Sequence, residues 1–108
     1  MSELSDIIQE LSKNFKVTIR PKSLEEYRNY LYHIKTICIN NEIYPENLYA
    51  YHFTKEKYPY LTCKDMADIM DLSMSNYSKK KEKWIFEINT YDDVKQNIEK
   101  INKSITNK

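Results

Sequence analysis

The residues best placed to do chemistry lie in one short stretch: Ser75, Asn76, Ser78, Lys79, Lys80, Lys81 and Lys83, opposed only by Glu82. Hydroxyl and amide groups can exchange directed hydrogen bonds with a polar ligand, and clustered ammonium groups attract phosphate oxygens. A second basic group, Lys16, Arg20 and Lys22, contains no acid. The formal net charge is only +1, so the positive character is local. A local footprint is what a polyanion feels.

Other chemistries find less support. His33, His52, Cys38 and Cys63 are the only soft metal ligands, and no pair has zinc-finger or HExxH spacing, so no metal site is expected. Cys63 falls in the first turn of an expected helix, where the dipole lowers a thiol pKa, but no His lies near it in sequence. It reads, with Cys38, as a reduced and mostly buried thiol. The pairs Glu25-Glu26 and Asp92-Asp93 sit at helix starts, where capping and the dipole account for them. The chain has 0 glycines, which excludes phosphate-cradling loops and dinucleotide fingerprints. Neither an enzyme nor a cofactor is expected.

At 108 residues the chain is expected to form a single domain, 1–108, with a core that needs no staples. No apolar run approaches the roughly 18–20 residues of a membrane span. The start, MSELSDIIQELSKN, is acidic and amphipathic, unlike a secretory or transit peptide, so a cytoplasmic location is expected. The excess of Lys, Asn, Ile and Tyr suggests AT-rich coding, as in a bacterium, phage or plasmid of low GC content.

Hydrophobic periodicity supplies the elements. Leu4, Ile7, Ile8 and Leu11 predict an amphipathic helix over 3–13. Phe15 to Arg20 alternates and predicts a strand with Lys16, Thr18 and Arg20 outward, ended by Pro21. Ser23-Leu24-Glu25-Glu26 is a capping box opening a helix over about 24–40, with Tyr27, Tyr30, Leu31, Ile34, Ile37 and Cys38 on its core face. Pro45 suits the first turn of a helix over about 45–57. Tyr58 to Leu61 reads as an extended linker. Trp84 to Asn89 alternates again and predicts a second strand with Trp84, Phe86 and Ile88 inward, pairing antiparallel with 15–20. Val94, Ile98, Ile101 and Ile105 stripe a last helix within 90–108, able to pack on the domain or on a partner copy. The expected class is α+β, mainly α, with about six helices and a two-stranded antiparallel sheet.

The stretch from Thr62 to Trp84 organises the rest. Thr62 and Asp65 form a capping box, and Met66, Ala67, Ile69 and Met70 give a first helix its apolar face. Asp71 tolerates the left-handed conformation of a sharp turn, Leu72 plugs the corner, and Ser73 or Ser75 caps a second, basic helix carrying Met74, Tyr77 and Trp84 at helical spacing. This stretch resembles the helix-turn-helix of DNA-binding proteins. Ala67 stands where that family has a small residue, Asp71 where its turn usually has Gly, and Leu72 at the apolar corner. Tyr77 replaces the usual branched residue and Lys80 an expected apolar anchor.

The resemblance implies a winged-helix-like, sequence-specific binder of double-stranded DNA, acting as a homodimer. The helix starting near Ser75 would enter the major groove. Ser75, Asn76 and Lys79 would then meet base edges, Ser78, Lys80, Lys81 and Lys83 phosphates, and Lys16, Arg20 and Lys22 the flanking backbone or minor groove. In general character the chain is similar to winged-helix accessory proteins of conjugative-plasmid relaxosomes, which bind the transfer origin with other proteins of a DNA-processing complex. A transcriptional regulator of a plasmid or phage fits equally. The alternative is a protein-interaction module or inhibitor using the tyrosine-rich stretch of Tyr44, Tyr49, Tyr51, Tyr58 and Tyr60, where most rings are expected in the core and one or two at an interface. The same rings could serve as a stacking platform for bases, and a third reading is a single-strand binder.

Overall fold

The computed structural model of the protein describes residues 21–106, with side chains from Leu24 onward. The expected helix 3–13 and strand 15–20, with Lys16 and Arg20, lie outside the described residues, as does the Lys22 side chain. Five helices follow one another: α1 (Pro21–Asn40), α2 (Glu46–Lys57), α3 (Cys63–Ile69), α4 (Met74–Thr90) and α5 (Asp92–Thr106).

The described residues contain no strand, which overturns the expected two-stranded sheet and the α+β, six-helix reading. Trp84 to Asn89 is the second half of α4, a helix of 17 residues. The alternation in Trp-Ile-Phe-Glu-Ile is real but is overruled. Nothing between Ser75 and Asn89 stops a helix, since neither Pro, Gly nor an Asx turn interrupts it. Tyr77, Trp84 and half-buried Ile88 also continue one helical stripe across the supposed boundary. Pro21, expected to end a strand, instead opens α1, where its missing N–H costs nothing.

The core is built where α1 and α2 pack together, the most extensive pairing of the bundle. α1 contributes Tyr27, Leu31, Ile34, Ile37 and Cys38, and α2 contributes Leu48, Tyr49, Ala50, Tyr51, Phe53 and Thr54. Burial in this core pushes the Cys38 thiol up to about 11, so it stays protonated and inert. Cys63 is exposed, contrary to expectation, and both cysteines are free. α5 closes the bundle with Val94 and Ile101 buried and Ile98 and Ile105 half-buried against the core, so its stripe is engaged within the chain.

Two helices end in the same way without glycine. After α1, Glu42 takes φ 56°, its N–H donates to the Ile39 carbonyl at 3.1 Å, and the Ile43 N–H donates to the Cys38 carbonyl at 2.8 Å. After α3, Asp71 takes φ 56°, its N–H donates to the Asp68 carbonyl at 3.2 Å, and the Leu72 N–H donates to the Ala67 carbonyl at 2.9 Å. Both are Schellman ends, and both place a residue with a Cβ where glycine is usual. Ile43 is buried under the first turn and Leu72 is half-buried under the second, the hydrophobic contact that accompanies this motif.

Candidate nucleic-acid interface

The pair α3–α4 is held by local chemistry that the sequence dictates. The Thr62 hydroxyl accepts from the Asp65 N–H at 3.1 Å, and the Asp65 carboxylate accepts from the Thr62 N–H at 3.1 Å, a complete capping box. Of the two candidate caps for α4, Ser73 fills the role, its hydroxyl accepting from the Asn76 N–H at 3.2 Å. That leaves the Ser75 side chain exposed in the first turn of the helix. α1 secures the turn from outside. The Arg28 guanidinium donates to the Asp68 carbonyl at 3.0 Å and to the Asp71 carboxylate at 3.2 Å, placing a cation at the C-terminus of α3.

α4 is anchored by aromatic packing. Tyr77 and Trp84 are buried against Tyr51 of α2, with ring centroids 6.3 Å (Tyr51–Tyr77), 5.4 Å (Tyr51–Trp84) and 6.5 Å (Tyr77–Trp84) apart. Such pairs add about 0.5–1.5 kcal/mol each beyond the area they bury. Burial is also the first cause of the upward displacement of the Tyr51 and Tyr77 pKa values, so both phenols are neutral in the core.

This anchoring decides which side of α4 meets solvent. Tyr77, Lys81, Trp84 and Ile88, at i, i+4, i+7 and i+11, form the inward stripe. Ser75, Lys79, Glu82 and Phe86 lie opposite, all exposed, flanked on one side by exposed Asn76, Lys80 and Lys83. Ser78 is exposed on the other flank, away from that lysine group. Lys81 departs from the expected phosphate-contacting set. It turns back over the Tyr77 ring, 5.8 Å from the centroid, and its ammonium donates to the Cys63 sulfur at 3.5 Å. Among the described residues, Lys79, Lys80 and Lys83 take part in no ion pair.

Two features of this surface escaped the sequence reading. Phe86, placed inward by the strand assignment, is 58% exposed in the middle of the outward face. Tyr91, at the end of α4, is 46% exposed, and the two rings pack edge to face at 6.1 Å. Reading the helix through to Asn89 would have found Phe86, because Lys79 and Phe86 are seven residues apart and return to within about 20° on a helix.

The tyrosine-rich stretch is divided between core and surface. Tyr49, Tyr51 and Tyr58 are buried, while Tyr44 and Tyr60 are exposed. The Asn97 side-chain amide donates to the Tyr49 hydroxyl at 3.1 Å, and Tyr27 and Tyr60 share a hydrogen bond through their hydroxyls. Tyr58 to Leu61, expected as an extended linker, is a tight turn in which the Leu61 N–H donates to the Tyr58 carbonyl at 3.2 Å. Lys57 sits over the Tyr30 ring at 4.1 Å from its centroid.

Among the described residues no three His, Cys, Asp or Glu side chains cluster as metal ligands do. No described helix is long and apolar enough to cross a membrane. Compared with known proteins, the chain matches no family model, no curated protein and no solved structure.

Proposed function

We propose that the protein is a small, sequence-specific binder of double-stranded DNA that works as a helix-turn-helix, with α4 as its reading helix. The observation that carries this reading is the outward face of α4, where Lys79, Lys80 and Lys83 stand exposed beside Ser75 and Asn76 and, among the described residues, take part in no ion pair. A face of this charge complements a polyanion.

At a rise of about 1.5 Å per residue α4 is about 26 Å long, and a reading helix of this kind meets base edges with its N-terminal residues. Ser75, Asn76 and Lys79 would therefore meet base edges, Asn suiting adenine and Lys guanine, while Lys80, Lys83 and Ser78 would reach phosphates. Lys16, Arg20 and Lys22 would grip the flanking backbone. A homodimer acting in the cytoplasm, either in transcriptional regulation or with other proteins at the transfer origin of a mobile element, is the setting this binding suits.

The competing reading is a protein-interaction module built on the tyrosine-rich stretch, for which Tyr44 and Tyr60 are exposed while Tyr49, Tyr51 and Tyr58 are taken up by the core. The test is fluorescence anisotropy with a pool of random duplexes at two salt concentrations, followed by selection of the bound sequences. Affinity that falls steeply with salt, with one enriched site, supports the proposal, and half-site spacing reports the dimer. Absence of binding at low salt refutes it.

A further inference from the structure

We propose that Phe86, with Tyr91 behind it, is a stacking platform for an unpaired nucleobase, so that the preferred ligand is a duplex with a single strand leaving it. This rests on the reading of α4 as a DNA-binding helix and names the DNA structure that helix selects. Phe86 is more than half exposed on the outward face of α4, and with Tyr91 packed on it the exposed apolar surface is a pair of rings rather than a single side chain. Its neighbours indicate the occupant. Lys83 is one turn before it and Lys79 two turns before it, both exposed, so anything that reaches the ring passes a row of positive charge. Tyr91 packs against it at 87° between ring planes, which holds the ring in place rather than leaving it to swing freely.

Phe86 is eleven residues beyond Ser75, about 16 Å along the axis, past the N-terminal residues with which a reading helix of this kind meets base edges. A paired base is also enclosed by its neighbours in the stack and shows only an edge. A base in a strand that has left the duplex shows its face, and its phosphates can follow Lys79 and Lys83. Stacking of this kind tolerates any base and is combined with a cationic track wherever single strands are held.

The test uses the full chain and two fluorescent probes sharing one duplex, one blunt and one carrying an eight-nucleotide overhang at either end, with 2-aminopurine in the overhang. The overhang is expected to tighten binding about tenfold and to quench 2-aminopurine on binding. Phe86→Ala should remove both effects while leaving the blunt duplex bound within about twofold, and Phe86→Leu, which keeps an apolar group without the ring, should behave like Phe86→Ala. Lys79→Glu with Lys80→Glu should weaken both probes. If the wild type binds the blunt duplex but gains nothing from either overhang, the platform is refuted and the helix-turn-helix reading stands. The platform also falls if Phe86→Ala weakens both probes equally, or if it lowers the mass of the protein in solution, since the ring then joins copies of the chain. Failure to bind any probe refutes both.

Discussion

Two stretches of this chain look equally unusual in sequence, and the fold treats them oppositely. Between Tyr44 and Tyr60 five tyrosines crowd together, and three of them, Tyr49, Tyr51 and Tyr58, are buried. Between Ser75 and Phe86 four lysines crowd together, and all but Lys81 stand in solvent without an ionic partner among the described residues. Packing accounts for those three tyrosines, because rings with a polar tip fill a core and still find partners such as Asn97. It leaves the second stretch unexplained. The proposed DNA contact gives that cluster a use.

The comparison can be broken most forcibly by truncating a ring. Tyr49→Ala should destabilise the domain by about 3–5 kcal/mol, as for other large buried aromatics, measured by urea unfolding. Any loss of DNA binding should then follow the unfolded fraction. Lys79→Glu with Lys80→Glu should do the converse, lowering duplex affinity about a hundredfold while moving stability by no more than about 0.5 kcal/mol. Should the lysine variant unfold and the tyrosine variant stay folded, the contrast would be inverted.

The turns that lead into the two stretches sharpen it further. Glu42 occupies a left-handed position that suits a long carboxylate poorly, so Glu42→Gly should raise stability by about 1 kcal/mol. Asp71 has the same φ of 56° but tolerates it better and holds Arg28, so Asp71→Gly should gain less, read from paired thermal melts. Thr62→Ala removes the cap that starts the helix pair and should cost about 1 kcal/mol.

The smallest effect is one of pH. His52 is largely buried on the tyrosine side, and desolvation lowers its pKa below 6.5, outweighing the opposing pull of Glu56. The unfolded chain therefore binds a proton before the folded one does. Stability should be undiminished above about pH 6.5 and decline as pH falls below it, and His52→Gln should flatten that part of the urea-midpoint profile.

Local chemistry was the legible part of this fold. The Thr62–Asp65 box, the left-handed Asp71, the Ser73 cap and the core face of α1 all follow from residue types at fixed offsets, and each appears in the structure. What misled was Trp84 to Asn89, where strand alternation and helical periodicity overlap in a short apolar run. Length arbitrates such cases, and the uninterrupted run from Ser75 favoured the helix. That one misassignment created a sheet, and with it a wing, and turned Phe86 inward. The lysines on α4 could be named from sequence, but which of them face outward depended on the buried pair Tyr77 and Trp84, a tertiary fact. Lys81 illustrates this, since only the packed structure brings Cys63 within 3.5 Å of its ammonium.

The central claim is that the outward face of α4 is where DNA binds. Amide chemical-shift mapping of isotope-labelled protein, titrated with a selected duplex, tests it most directly. The largest shifts are predicted along Ser75 to Lys83, with Tyr44 and Tyr60 unmoved. Shifts centred on the tyrosine-rich stretch, or none at low salt, would contradict it.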